Sequence, residues 1–143
     1  RCLCTPGQIY KYQKKISGPL IDRIDLHIEV PRLPYEKMMK DELAESSEKI
    51  VARVELAREL QFKRFGESKT NSEMNVVELK KYCKLGQETQ DLLKNAMKQY
   101  ALSGRGAHRL LKIARTIADL AGSEAIATNH LAEALQYRPK MND

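Results

Sequence analysis

Apolar and polar residues alternate strictly from Ile24 to Val30: Ile24, Leu26, Ile28 and Val30 are apolar, and Asp25, His27 and Glu29 are polar. A period of two ending at Pro31 predicts a strand with one buried face. No second run of this kind appears, so the strand has no partner in the chain and is an orphan. Beyond Pro31 and Pro34 the period changes. Met39, Leu43, Ile50, Val54, Ala57 and Phe65 recur at helical spacing, which predicts a long helix from about Tyr35 to Phe65 with one narrow apolar face. Gly66 and the polar run Glu67–Ser72 end it and read as a linker. Four shorter helices are expected after the linker, over Val76–Cys83, Gln87–Ala101, Ser103–Ala121 and a last one capped by Thr128. Ahead of the strand, Thr5–Leu20 reads as loop with one short helix around Gln8–Lys14. The predicted architecture is therefore mainly α: a small helical bundle preceded by a long helix and one orphan strand.

With 143 residues, 42% of them hydrophobic, the chain fits one domain of ordinary size. No apolar run approaches the roughly 18 to 20 residues that span a bilayer, and no signal peptide opens the sequence, so a soluble, cytoplasmic protein is expected. The first residues are Arg1-Cys2-Leu3-Cys4 without an initiator Met, which suggests a fragment of a longer parent. The net charge of +6 is concentrated at the two ends, and a pI near 9.2 permits phosphate-bearing partners without requiring them. Three cysteines form no disulfide framework, which suits a reducing compartment. Cys2 and Cys4 supply half of a possible tetrahedral zinc site, and Cys83 reads as a small core residue. His27, His108 and His130 have no ligand-like spacing.

Ser103–Ala121 carries the most chemical information. At about 100° per residue, Leu110, Ile113, Ala114, Ile117, Leu120 and Ala121 fall on one side. Arg105, Arg109 and Lys112 line the other, with Arg115 at its edge, within reach of Asp119 at i,i+4. Arg109 and Lys112 are either solvated surface or candidates for nucleic-acid contact. Arg105 differs. Ser103 is a plausible N-cap, so Arg105 falls in the first turn, where the macrodipole opposes a cation and free N–H groups point outward. A cation there is favourable only with an anion, and a helix N-terminus plus Arg makes a phosphate site. The second stretch of interest is Asp22-Arg23, placed just before the strand, where Arg23 is either an ordinary ion-pair partner of Asp22 or Asp25 or a side chain presented from a rigid end.

The phrase Ile16-Ser17-Gly18-Pro19-Leu20-Ile21-Asp22-Arg23-Ile24-Asp25-Leu26-His27-Ile28-Glu29-Val30-Pro31 carries a resemblance. So do Leu102-Ser103-Gly104-Arg105, Ala114–Ser123 and Ala132–Arg138 at their spacing to it. Together they resemble the C-terminal portion of the magnesium-chelatase-like AAA+ ATPases of the ComM/YifB type. The resemblance implies three parts: 1–31 as the end of an AAA+ core, 32–73 as a connecting helix and linker, and 74–143 as the helical lid. It further implies that Arg23, with Asp22 beside it, is an arginine finger and that Arg105 is a sensor 2 residue for the ATP γ-phosphate, as more distantly in magnesium-chelatase I subunits and replicative MCM helicases. ATP and Mg2+ would serve the full parent, zinc would be held through Cys2 and Cys4 together with upstream cysteines, and the partners would be the core of the same chain, neighbouring subunits of a hexameric ring, and DNA. No G-x-x-x-x-G-K-[ST] loop and no apolar strand ending in paired acids occurs here, so the chain by itself is expected to be without ATPase activity. Two alternatives stand beside action on DNA: a motor for metal insertion or protein remodelling, and a non-catalytic helical interaction module.

Overall fold

Six α-helices form among the residues that the computed structural model describes, namely 3–15, 20, 23–35, 39 and 45–138. They are α1 (Pro6–Gln13), α2 (Ser47–Phe65), α3 (Val76–Tyr82), α4 (Gln87–Gln99), α5 (Gly104–Leu120) and α6 (Thr128–Gln136), with a 3-10 turn at Asn71–Glu73. Each begins where a local signal permits. Thr5 closes a capping box with Gln8 ahead of Pro6 in α1, Asn75 closes one with Glu78 in α3, and the Ser103 hydroxyl accepts from the Gly106 N–H at 3.0 Å in α5. Gly66 ends α2 in the left-handed region at φ 71°, and its N–H donates to the Phe62 carbonyl.

Two expectations about boundaries change. The helix expected from Tyr35 is not continuous to Phe65, because Ser46 is extended (φ −71°, ψ 151°) and serves as the N-cap of a helix that starts at Ser47. Leu43 lies outside the described residues. The cap of α6 is Ala127, not Thr128. The Ala127 N–H donates to His130 Nδ1, and the Thr128 hydroxyl instead lies 3.1 Å from that of Thr89 on α4.

α5 is the axis of the bundle, with α6 packed most extensively against it and α2, α3 and the 3-10 turn on its other sides. The core consists of Met74, Leu79, Cys83, Leu110, Leu111, Ala114, Ala118, Ile126, Leu131 and Ala134, closed at its margin by Phe65, Tyr82, Leu92 and Leu135. Small residues at 107, 114, 118 and 134 let the helices approach closely, while Leu110 and Leu131 fill the space between them. The buried stripe of α5 is rotated by roughly 80° from the one read off its apolar residues. It is centred on Ala107, Leu110, Leu111, Ala114 and Ala118 and extends to Arg115 and Asp119. Four neighbouring elements demand a wider covered face than one apolar stripe, and polar residues fill the excess. Ile113 and Ile117 pack against the margin of the core and, with Leu120, line a groove beside Leu26 and Ile28.

The strand expected over Ile24–Val30 does not form: residues 24–30 pair in no ladder, since no second run lies beside them to take up their backbone groups among the described residues. They run along this groove, anchored by the His27 N–H donating to the Tyr137 carbonyl at 2.8 Å just past α6. Leu26 and Ile28 remain half exposed or more. The apolar face of α2 is similarly divided: Ala57 is buried and Phe65 packs edge-on against Tyr82, whereas Ile50 and Val54 lie where the helix runs clear of the bundle.

Candidate functional site

Arg105 stands in the first turn of α5, two residues after its Ser103 cap, with its side chain in solvent. The first turn contains no acidic residue, and no ion pair reaches Arg105 among the described residues. The macrodipole opposes a cation at this end, so the position is suited to a bound anion. Next to it, Gly106 is closely packed. The Arg138 Nη2 donates to the Gly106 carbonyl at 2.7 Å, and a Cβ on Gly106 would meet the same Nη2 at 3.0 Å. A second guanidinium, buried, thus lies against the turn that presents Arg105.

Arg23 is exposed at the end of a turn, its N–H donating to the Leu20 carbonyl at 2.9 Å. Asp22 lies outside the described residues. Asp25 does not pair with Arg23. It reaches Arg109, with Oδ1 3.0 Å from Nη1, as an ion pair without aligned hydrogen-bond geometry. Lys112 is likewise occupied, donating to the Ser72 carbonyl at 2.8 Å. Of the three cations read as the basic back of the helix, two hold chain segments onto α5 and only Arg105 stands unengaged among the described residues.

Arg115 departs furthest from a surface ion pair. It is 3% exposed and Asp119 is 2% exposed. Its Nε donates to Asp119 at 3.1 Å, and its terminal nitrogens close the turn after α5 by donating to the carbonyls of Glu124 and Ser123 at 2.7 and 2.6 Å. Asp119 also accepts from both terminal nitrogens of Arg64 on α2 and, at 2.7 Å, from the Asn71 amide. Asn71 in turn donates to Thr116, while its own N–H is held by Gln61 at 3.0 Å. Two cations, one carboxylate and two amides satisfy one another out of water. This network fastens α2 and the polar run after it to α5. The sequence offered one sign of it, a polar tract with an Asn seven residues beyond an Arg, and that alone does not separate a buried hub from a solvated linker.

Among the described residues no thiol belongs to a metal-ligating cluster. Cys2 lies outside the described residues, Cys4 is exposed, and no group of three His, Cys, Asp or Glu suited to a metal ion occurs among the described residues. Neither zinc nor Mg2+ therefore finds a donor set in the described part of this chain. Cys83 is packed in the core, and burial raises its pKa to about 11, so at neutral pH it is a thiol rather than a nucleophilic thiolate. No helix among the described residues is long and apolar enough to cross a membrane.

The docked segment 24–30, the Arg105 turn and the bundle behind it fall within two successive family matches. Residues 44–138 match the family described as magnesium chelatase, subunit ChlI C-terminal, and residues 1–38 match the one described as magnesium chelatase, subunit ChlI. The chain belongs to the magnesium chelatase ChlI C-terminal family. It is 42% identical over 135 residues to competence protein ComM of Haemophilus influenzae and 42% identical over 136 residues to the uncharacterized protein YifB of Escherichia coli, with 94% of this chain and 26% of the relative covered in each case. An uncharacterized protein of Mycobacterium tuberculosis is 32% identical over 139 residues, with 96% of this chain and 27% of the relative covered. The chain spans about a quarter of the length of these relatives and matches their C-terminal part.

Proposed function

We propose that this chain is the C-terminal segment of a ring-forming AAA+ ATPase, joining the end of its core to its helical lid, with Arg23 as the arginine finger, assisted by Asp22, and Arg105 as sensor 2. The observation that carries the reading is Arg105, a solvent-facing guanidinium in the first turn of a capped helix with no carboxylate engaged on it among the described residues. Such a group responds to a γ-phosphate and adds its charge to the helix N-terminus. The ATP-binding loop and the acids that hold Mg2+ belong to the rest of the protein, since this sequence lacks both motifs. Here the chain's own residues supply positioned cations, which stabilise the charge that spreads over a transferring phosphoryl group. The substrate of the motor is DNA, in keeping with the competence name of one relative. The family description favours a second reading, in which the same motor serves metal insertion. The test is Arg23→Ala and Arg105→Ala in the full-length ATPase. Arg23→Ala should lower turnover by about 10³-fold or more while nucleotide affinity stays nearly unchanged, as for other supplied arginines. Arg105→Ala should slow hydrolysis, and Lys in its place should restore little because it lacks the planar fork. Near-normal turnover in Arg23→Ala removes the finger assignment. Stimulation of turnover by DNA, absent with metalloporphyrin precursors, separates the two substrates.

A further inference from the structure

The segment that carries Arg23 is tied to the lid by more than chain connectivity. Asp25, two residues beyond Arg23, is paired with Arg109 at 3.0 Å, and Arg109 stands one turn beyond Arg105 on α5. In an α-helix, residues four apart share a face, so Arg105 and Arg109 are surface neighbours. A second tie fixes the backbone, from the His27 N–H to the Tyr137 carbonyl. The side chains of Leu26 and Ile28 lie along Ile113 and Ile117 of the same helix. The turn that bears Arg23 and the turn that bears Arg105 are thus held on one element.

From this geometry we infer that the Asp25–Arg109 ion pair couples the lid to the finger: Arg109 is a positioning residue that sets where Arg23 is presented as α5 moves. The inference rests on the proposed ATPase reading and adds a residue and a link to it. Its physical basis is differential contact. A lid can pass on a change of state only through contacts that differ between states, and an ion pair that is half in water forms and breaks at little cost to the fold. Asp25 has 52% of its side chain exposed, while Arg109 has 24% and its Nη1 is buried, so the pair opens to water from the Asp25 side. The same pair explains why Arg109 is not available as a free cation for nucleic acid in this arrangement.

The experiment is a double-mutant cycle on steady-state ATP turnover in the full-length ATPase, using Asp25→Asn and Arg109→Gln, the double variant, and the charge swap Asp25→Arg with Arg109→Asp. Each single change should lower kcat by about tenfold with KM for ATP little altered, and the double change should cost no more than either single, within the range found for directly coupled neighbours. The swap should recover most of the loss. Thermal melts monitored by circular dichroism accompany each variant, and all midpoints should stay close to wild type, so that a loss of kcat is not a loss of fold. Additive losses, a swap that recovers nothing, or full turnover in both single variants while Arg23→Ala is inactive would overturn the coupling and leave the finger assignment standing. Full turnover in Arg23→Ala would instead overturn the function on which it rests. A fall in DNA affinity of Arg109→Gln with unchanged kcat would return Arg109 to a nucleic-acid surface and also overturn the coupling.

Discussion

Asp119→Asn should unfold this domain far more readily than any loss of a surface ion pair. The substitution preserves volume and removes the charge that two guanidiniums share. Arg115 would keep its bonds to the carbonyls of Ser123 and Glu124, but the one oxygen left, now neutral, could accept either from Arg115 Nε and one Arg64 nitrogen or from the other Arg64 nitrogen and Asn71, not from all four. One oxygen of the carboxylate would become an amide nitrogen, placing donor against donor beside Arg64, Asn71 or Arg115. Breaking a buried pair by removing one partner costs about 3–5 kcal/mol because a charge stays behind unpaired. A domain's whole stability is typically about 5–15 kcal/mol. At roughly 4 °C or more per kcal/mol for a unit of this size, the melting midpoint should fall by about 12 °C or more. Circular dichroism at 222 nm on residues 1–143, by heat and by urea, gives the comparison, with Arg53→Gln, whose ion pair with Glu45 is about half exposed on both sides, as a control expected to cost about 0–1 kcal/mol. If Asp119→Asn costs only a few tenths of a kcal/mol, as expected of an exposed i,i+4 pair, the network is not buried in solution and the packing of α2 on α5 described above is wrong.

Other outcomes follow from single contacts. Gly106→Ala should destabilise the bundle by about 1–3 kcal/mol, the range for overpacking, because the new Cβ meets the buried Arg138 side chain at 3.0 Å; an unchanged urea midpoint would mean that Arg138 moves aside freely. Acid should weaken the turn between α2 and α3. The Lys69 ammonium, followed by the Asn75 N–H, holds the Glu78 carboxyl below its ordinary value of 4.5, and the Thr70 N–H does the same for Glu73. Groups depressed on folding contribute stability that is present above the ordinary value and lost as pH falls through the depressed one. The thermal midpoint should therefore drop progressively below about pH 4.5, and Glu78→Gln should flatten part of that drop. Parallel wild-type and Glu78→Gln profiles would remove Glu78 from the account.

What the sequence revealed and what it hid divide along physical lines. Helices α3 to α6 and the Ser103 cap were legible because periodicity and capping are local signals, read within a turn or two. The orphan character of residues 24–30 was legible too, since alternation without a partner run is visible in one dimension. Their docking onto α5 was not, because an Asp25–Arg109 contact across 84 positions leaves no local trace. The buried face of α5 was misplaced for a related reason. Apolar residues mark which side can be buried, but the number of neighbours decides how wide the buried face is, and Arg115 and Asp119 became interior only because Arg64 and Asn71 arrived from elsewhere to satisfy them. The break at Ser46 was missed because a lone Ser before an acidic first turn is a weak local signal beside a long apolar period, and Ser46 makes no side-chain cap bond even where the helix starts.

The cations of α5 show why residue type alone does not assign function. Arg105, Arg109, Lys112 and Arg115 recur along one helix and look interchangeable in composition, yet each has a different partner. Arg115 is held by a buried carboxylate and two carbonyls, and its removal would be felt as unfolding. Lys112 satisfies a single carbonyl of the 3-10 turn, and Arg109 a single exposed carboxylate, so both can exchange partners at little cost. Arg105 has none among the described residues and sits where the helix itself opposes its charge. Of the four, it is the one whose ionic contact is left for a ligand to supply. On the proposed reading, a helix that fixes one cation in the core, uses two to hold flanking segments and leaves one facing solvent registers a bound anion at its first turn and passes it on through the contacts that the middle cations make and break. The segment held there is the one that carries Arg23.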